Sequence, residues 1–414
     1  GAHKEPNTRA TVTQLYNGLE ANSQNHRGPL GFDLMAITDF LSPLLGAGFY
    51  YKTFMWPKAF WEKFYEPAIR NAAGLGTLST EADPDTYDKG FRYCDILIIG
   101  AGLAGLSAAN DLQQAGHQVL LVDKGRGLGG RLAGRRIGDA SFDHGAQFMT
   151  AREPRFKAAI ASWIKAGVAE EWYSSYPGQP NGHPRYRGVP SMTAVAKYLA
   201  VGLDVLRTTR VDSIAQQQAS WLVSLDNGDS LSAKQLIITS PVPQTLELLA
   251  DIALPADKLA RLENIAYESC IAVMAVLDGP TALPAPGAIA LEEGPIAWIS
   301  DNLQKGVSQV PAVTIHGSAT FSAENLNGER MHIGQQLIDA AAPYLGSAQV
   351  TEYQVHGWRY SKPTVVDDAP CMLVSESTDL PPLILAGDAF AGPRFEGAVQ
   401  SGWAAAKQLI GAAR

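Results

Sequence analysis

Glycines at 100, 102 and 105 form a G-x-G-x-x-G run directly behind the apolar stretch Ile96–Ile99. That spacing suits a bound dinucleotide. Gly100 permits a tight turn, Gly102 leaves room for a pyrophosphate against the backbone, and Gly105 lets a helix pack closely on the strand. Leu103 and Ala104 open that helix, whose free N–H groups and dipole face the phosphates. The next apolar run, Val119–Val122, ends at Asp123, an acid able to accept from ribose hydroxyls, with Lys124 beside it. Gly129, Gly130 and Arg131 follow in the stretch "DKGRGLGGR". Successive glycines let backbone N–H groups converge on an anion, and Arg131 adds a charge-assisted contact to phosphate. A unit that holds NAD alone does not need this second element. A larger dinucleotide lying extended across the domain does, which points to FAD.

These residues require a strand, a tight turn, a helix and a second strand to hold them. The chain has 414 residues, enough for two or three domains. Its net charge of −8 argues against broad nucleic-acid binding. The three cysteines, Cys94, Cys270 and Cys371, are widely spaced without a CxxC, and the eight histidines show no HExxH, so neither a disulfide framework nor a metal site is expected. A reducing, cytoplasmic setting fits this usage. There is no apolar run of membrane-spanning length and no signal-peptide core. The absence of an initiator Met at Gly1 suggests a processed or truncated piece of a longer chain.

Three textures divide the sequence. Residues 1–92 read as a helical extension. Nine aromatics lie between Phe49 and Tyr65, with Phe60, Trp61, Phe64 and Tyr65 at helical spacing. They suit either a hairpin packed on the main domain or, across 45–66, a surface for a partner subunit. Residues 93–150, 201–245 and 376–414 read as the FAD-binding domain, and 151–200 with 246–375 as a mixed α+β substrate domain. The fold class is α/β, a parallel Rossmann-like sheet with helices plus that second domain. Asn227-Gly228 marks a hairpin turn ahead of the strand Leu236–Thr239.

The acid followed by GGR resembles the flavin-dependent amine oxidase superfamily. So does "LILAGDAFAGPRFEGAVQSGWAAAKQL" near the end of the chain. There Gly387-Asp388 resembles the family's second flavin motif, which implies an acid on ribityl or ribose hydroxyls. Glu396, Gly397, Ala398 and Ser401 open a last helix whose N-terminus the resemblance places at the flavin pyrimidine edge. Val211 matches a position on the adenine side. The run "FDHGAQFMTAREPRF", with Gly145 and Ala146, and the segment "RYRGVPSMTAV" resemble the renalase-like branch. In the second, Tyr186 and Ser191 stand where that branch has tryptophan and glycine. The first 92 residues instead resemble the linker region of heteromeric sarcosine oxidase α subunits.

The resemblance implies a non-covalent FAD and hydride transfer from an amine or a reduced nicotinamide, NAD(P)H included, with O2 as final acceptor. No nucleophile elbow accompanies the Ser, His and Asp residues, which leaves a hydrolase without support. Candidate substrate contacts are Tyr186, Arg187, Trp298, His316, Trp358, Tyr360 and Phe395. Trp298 and His316 equally fit a core strand. Trp358 and Tyr360 alternate and so share a strand face. Other readings are a subunit of a heteromeric amino-acid oxidase, a flavin-dependent desaturase or isomerase, and a module that keeps FAD only for structure.

Overall fold

The computed structural model describes Phe60 and residues 91–174, 182–375 and 379–412. The chain forms two units, Gly1–Asp88 and Lys89–Arg414. The expected helical extension and its aromatic partner surface lie outside the described residues, apart from Phe60.

The second unit opens with β1 (Phe91–Ile99), α1 (Leu103–Gln114) and β2 (Val119–Asp123). The short strands β3 (Gly134–Ile137) and β4 (Ala140–Asp143) make a hairpin, then α2 (Pro154–Lys165), β5 (Ala169–Tyr173), β6 (Arg185–Gly188) and α3 (Thr193–Leu199) follow. Next come β7 (Asp204–Arg207), β8 (Val211–Gln217), β9 (Ser220–Leu225), β10 (Ser230–Ile238), α4 (Val242–Leu248) and α5 (Ala256–Glu263). A long meander uses β11 (Ala266–Leu277), β12 (Ala288–Ala290), β13 (Ile296–Asp301), β14 (Ala312–Gly317), α6 (Ala319–Asn325), α7 (Arg330–Leu345) and β15 (Val350–Val365). The chain closes through β16 (Met372–Leu373), β17 (Leu383–Leu385) and α8 (Phe395–Ala412).

The first sheet runs β16-β17-β10-β1-β2-β7, and β1 is parallel to both β2 and β10. Parallel strands covered on both faces read as continuous apolar runs, as "ILII" does. Ile96 and Ile98 face α1, α2, α3 and α8, whereas Leu97 and Ile99 face the β8–β9 hairpin and Trp221. β10 serves two neighbours on one edge: Ser230–Ala233 pair antiparallel with β9, and Leu236–Ile238 pair parallel with β17. Gly228, at φ +85°, supplies the left-handed residue of the hairpin turn. Phe156, Ile160 and Trp163 of α2 and Val195 and Ala196 of α3 lie in the core of this sheet. Of residues 151–200, grouped by sequence with the substrate domain, α2 and α3 pack against the first sheet, where their apolar stripes meet α1 and α8, whereas Trp172 of β5 reaches the second sheet through Trp298 and Pro286 O.

The second sheet is antiparallel, in the order β12-β13-β14-β11-β15. One face, with Ile271, Val273, Ile299, Val313 and Ile315, buries itself against α7. The register sets the opposite face. Cys270 pairs with Trp358, Ala272 lies between His356 and His316, Trp298 is opposite His316, and Ser300 is opposite Thr314. The β3–β4 hairpin covers Met274 and Ala312 of that face with Ile137, Ala140 and Phe142. Among the described residues all three cysteines are free thiols, and no helix is long and apolar enough to cross a membrane.

Candidate functional site

The glycine turn is shaped by what its neighbours exclude. Gly100 is left-handed at φ +110°, and its N–H donates to Val122 O at 2.8 Å. A Cβ on Gly105 would collide with Gly100 O, so close helix–strand packing demands glycine there. At Gly102 a Cβ would meet nothing within 4 Å, leaving open space in front of the helix N-terminus. Leu103 and Ala104 are buried below it. Gly129 donates to Ala101 O at 2.9 Å, and Gly130 brings the second glycine turn alongside Gly102. Asp123 accepts from Ala101 N and Gly125 N, each at 2.6 Å, so it ties the two turns together at the end of β2. Lys124 points away, to Gln244 Oε1 at 3.2 Å. Beside Asp123 opens a cavity of about 380 Å3 lined by Arg126, Val205, Leu206, Arg207, Thr208 and Thr209. Val211 is buried in the adjoining core. A crevice at the carboxyl ends of parallel strands is where α/β sheets take their ligands.

Arg131 and Asp388 bring the two glycine-containing motifs together. The guanidinium meets both carboxylate oxygens at 2.6 Å, and its Nη1 also donates to Ser361 O of β15 at 3.0 Å. Sequence reasoning gave Arg131 a phosphate and Asp388 a hydroxyl; here each group's closest charged partner is the other. Gly387 is held by Ser401, whose Oγ accepts its N–H at 2.8 Å. Ser401 is wholly buried, so it positions the turn from behind. Glu396 accepts from Arg152 N and Glu153 N, at 2.8 and 2.7 Å, and thereby fastens α8 to the start of α2. A Cβ on Gly397 would collide with Gly392 O, and Ala398 packs against the first core.

The segment Asp143–Gln147 lies between this cradle and the second sheet. Gly145 fits only as glycine because a Cβ would collide with Arg131 O, and Ala146 N donates to that same oxygen at 2.9 Å. Side chains of the second sheet hold the segment's carbonyls. Thr314 donates to Asp143 O at 3.1 Å, and Trp358 Nε1 donates to His144 O at 3.0 Å. His316 Nε2 sits 3.1 Å from the same His144 O. A carbonyl only accepts, so His316 carries its proton on Nε2. Gln147 Nε2 donates to Asp143 O and Gly145 O, while its Oε1 accepts from Ser300. Beneath them Lys305 Nζ lies 2.9 Å from Asp143 Oδ2, an ion pair off hydrogen-bond alignment, with side chains 0% and 1% exposed. Burial pushes the Lys305 ammonium down, and Asp143 opposes that shift.

Burial also depresses the histidines. His144 falls to about 3, helped by His356 and Arg135, and His316 to about 4, so both are neutral near pH 7. The His144 ring stacks on Trp358 at 5.2 Å, and His356 meets both edge-on. Further along the face, Trp298 packs on Phe148 and Trp172, and Lys305 lies 4.9 Å over the Trp172 ring.

Trp298, His316 and Trp358 thus share the sheet face that meets the cradle, and the register is the reason; Tyr360 lies in the irregular stretch of β15 between Trp358 and Lys362, its ring edge-on to Tyr267. Tyr186 pairs with Met149 across an isolated bridge and packs against the first core. Arg187 turns aside to Glu170 at 2.7 Å. Phe395 lies elsewhere: it is buried against Phe156 and Trp163, because the first residue of α8 points into the helical core. Sequence reasoning passed over Asp143, His144, Gln147, Phe148, Trp172, Lys305 and His356. The run "FDHGAQ" was one available signal for the first three. Ser300, Asp301, Asn302 and Lys305 of "SDNLQKG", buried where a surface turn is expected, gave no sign of their depth.

Open space over Gly102, a converging second glycine turn and an acid at the end of β2 fit an extended dinucleotide. Residues 98–163 match the NAD(P)-binding Rossmann-like domain, and residues 169–410 match the flavin containing amine oxidoreductase family. Mouse renalase is 26% identical over 76% of this chain and 98% of its own length. The Rhizobium meliloti sarcosine oxidase subunit alpha is 60% identical over 132 residues in the N-terminal segment, which is 32% of this chain. This chain spans 13% of that protein's length. The fold is similar to putrescine oxidase bound to putrescine, with a TM-score of 0.58 and 15% identity, over 78% of this chain and 100% of that one. The match over more than half of the sequence shows that the chain belongs to the flavin containing amine oxidoreductase family and is an FAD oxidoreductase.

Proposed function

We propose that the protein is a renalase-like oxidase acting on an amine or a reduced nicotinamide. The observation that carries this reading is the segment Asp143–Gln147, which packs on the GGR turn at one side and receives Trp358 and His316 from the second sheet at the other. Bound FAD would supply the hydride acceptor, flavin N5, and O2 would restore it with release of H2O2.

The chain's own residues have distinct tasks in this reading. The Gly100–Gly105 turn and the α1 N-terminus hold the pyrophosphate, with Gly129 and Gly130 closing over it. Asp123 takes the adenosine ribose, and the cavity beside Arg126 and Arg207 receives the adenine end. Arg131 neutralises Asp388, so an acid next to phosphate does not repel it. Asp388 keeps lone pairs for ribityl hydroxyls. Gly145 and Ala146 present backbone to the ring. The α8 N-terminus, next to Glu396–Ala398, stabilises negative charge at the pyrimidine edge. Trp298, Trp358, Tyr186 and Tyr360 wall the substrate pocket and exclude water. Cys371 is buried and its thiol is pushed up to about 11, which suppresses the thiolate that covalent flavin attachment would need.

The test is anaerobic absorbance of the purified yellow protein. Bleaching by a dihydronicotinamide isomer and recovery in air is the expected result. Failure of every dihydronicotinamide and every amine to bleach the flavin would remove the oxidase reading.

A second reading is favoured by the 60% identity to sarcosine oxidase subunit alpha. In it the N-terminal segment docks a partner subunit and electrons leave to another centre. Bleaching by sarcosine alone, with co-elution of a partner on gel filtration, would select it.

A further inference from the structure

β15 is the outer strand of the second sheet, and among the described residues β11 is its one strand partner. No hydrogen bond joins the outward backbone of 350–358 to any other described residue. That is about 30 Å of unpaired donors and acceptors, a template for another strand. Proteins ordinarily guard such an edge with a proline, a bulge or a lysine. None of these falls between Glu352 and Trp358, where the register with β11 runs without a shift. The charge along this stretch is divided. Glu352 is exposed at one end. His356, four residues on, shares its face. Burial pushes His356 down and Arg135 and Arg330 add to the shift, so cations stand close to that end. Glu352, His356 and Arg135 have no ion-pair partner among the described residues. On the other face Tyr353 and Val355 pack on the α7 core, and Tyr353 Oη donates to Met331 O at 2.9 Å. Met331 itself is 50% exposed, which leaves apolar surface beside the edge.

We propose that the edge of β15 pairs antiparallel with β15 of a second copy of this chain, about a two-fold axis at Gln354. A two-fold contact needs one self-complementary patch, in which residue i meets j and j meets i. With Gln354 opposite itself, Glu352 comes opposite His356 of the second copy, on the side where Arg135 stands, and the same pair repeats across the axis. On the other face Tyr353 meets Val355 of the second copy, an aromatic side chain on a β-branched one. Moving the axis to Tyr353 or Val355 sets Glu352 opposite Gln354 or Trp358 and loses both matches. The pairing joins two five-stranded sheets into one. It also brings an acid to the site: Glu352 of the second copy lies beside His356, whose ring meets His144 and Trp358 edge-on.

This pairing does not depend on the oxidase reading above. Its test is sedimentation velocity of the full FAD-loaded chain over a wide range of concentration, where a reversible dimer is expected. Glu352→Lys sets a cation against Arg135 of the second copy, and Arg135→Glu sets an acid against Glu352. Each is expected to weaken the dimer by at least about tenfold, because two attractive pairs turn repulsive at once. The charge-swapped Glu352→Lys/Arg135→Glu variant is expected to restore it. Hydrogen exchange reads the same contact without any substitution: the amides of 350–358 are expected to slow as concentration rises. A monomer at every concentration would overturn the proposal, and so would a dimer indifferent to both single variants. A monomer whose 350–358 amides exchange slowly throughout would place the cover of this edge within the chain itself, which overturns the proposal as well.

Discussion

Arg131 and Asp388 stand 257 residues apart in the chain and close on each other through two N–O contacts of 2.6 Å. Each sits in a glycine-containing turn of its own, so the ion pair fixes the spacing between the two turns that would grip the dinucleotide. The pair is largely buried, at 30% and 13% exposure.

Arg131→Met is expected to weaken FAD by about ten- to a hundredfold, since charge-assisted hydrogen bonds are worth roughly 1.5–3 kcal/mol each. The Arg131→Met/Asp388→Asn double variant is expected to recover part of that loss, because it no longer leaves a carboxylate alone. Fluorescence titration of the apoprotein with FAD checks both.

Gly102 and Gly105 should separate cofactor binding from folding. Gly102→Ala meets no protein atom, so the apoprotein should melt as the wild type does while FAD affinity drops. Gly105→Ala drives a methyl into Gly100 O, so it should lower the melting temperature of the apoprotein as well. Calorimetry with and without FAD distinguishes the two.

The nucleotide half was legible in the sequence because its signals are local. An apolar run, three spaced glycines and a terminal acid specify β1, α1 and β2 without any distant contact. The GD turn and α8 were legible for the same reason. The second sheet was less legible: alternation suggests one strand face for Trp358 and Tyr360, but the register is irregular between Trp358 and Lys362, and only the pairing of β11, β13, β14 and β15 sets Trp298 and His316 on the side of Trp358. Phe395 was misread as a substrate contact because an aromatic beside a flavin motif looks the same whether it points at the ligand or into the helical core. Lys305 was missed because a lysine in a turn ordinarily lies in water, and nothing nearby in sequence announces a carboxylate from β4.

Lys305→Met should be among the most destabilising substitutions, at about 3–5 kcal/mol, because it strands Asp143 in the interior. Asp143→Asn/Lys305→Met should regain most of that stability, since the amide oxygen can still accept from Met192 N. Urea unfolding of the four proteins gives the coupling.

Acid should destabilise the protein earlier than its carboxylates alone would require. His144 and His316 hold folded values of about 3 and about 4, below the ordinary 6.5. Unfolding therefore takes up protons from pH 6.5 down to about 4 for His316 and about 3 for His144, so this stability is complete above 6.5 and is lost as pH falls. Each histidine contributes a slope of up to about 1.4 kcal/mol per pH unit. His144→Phe should flatten the profile by one histidine's share, measured by urea midpoints between pH 5 and 7.

The grip of the second sheet on residues 143–147 also governs how the molecule can move. Swinging the two sheets apart would strip three donors, from Thr314, His316 and Trp358, off buried carbonyls and expose the Lys305–Asp143 pair. Those losses come together, so the seam behaves as a weld and not as a hinge. The floor of the proposed cofactor site is thereby held fixed against the second sheet.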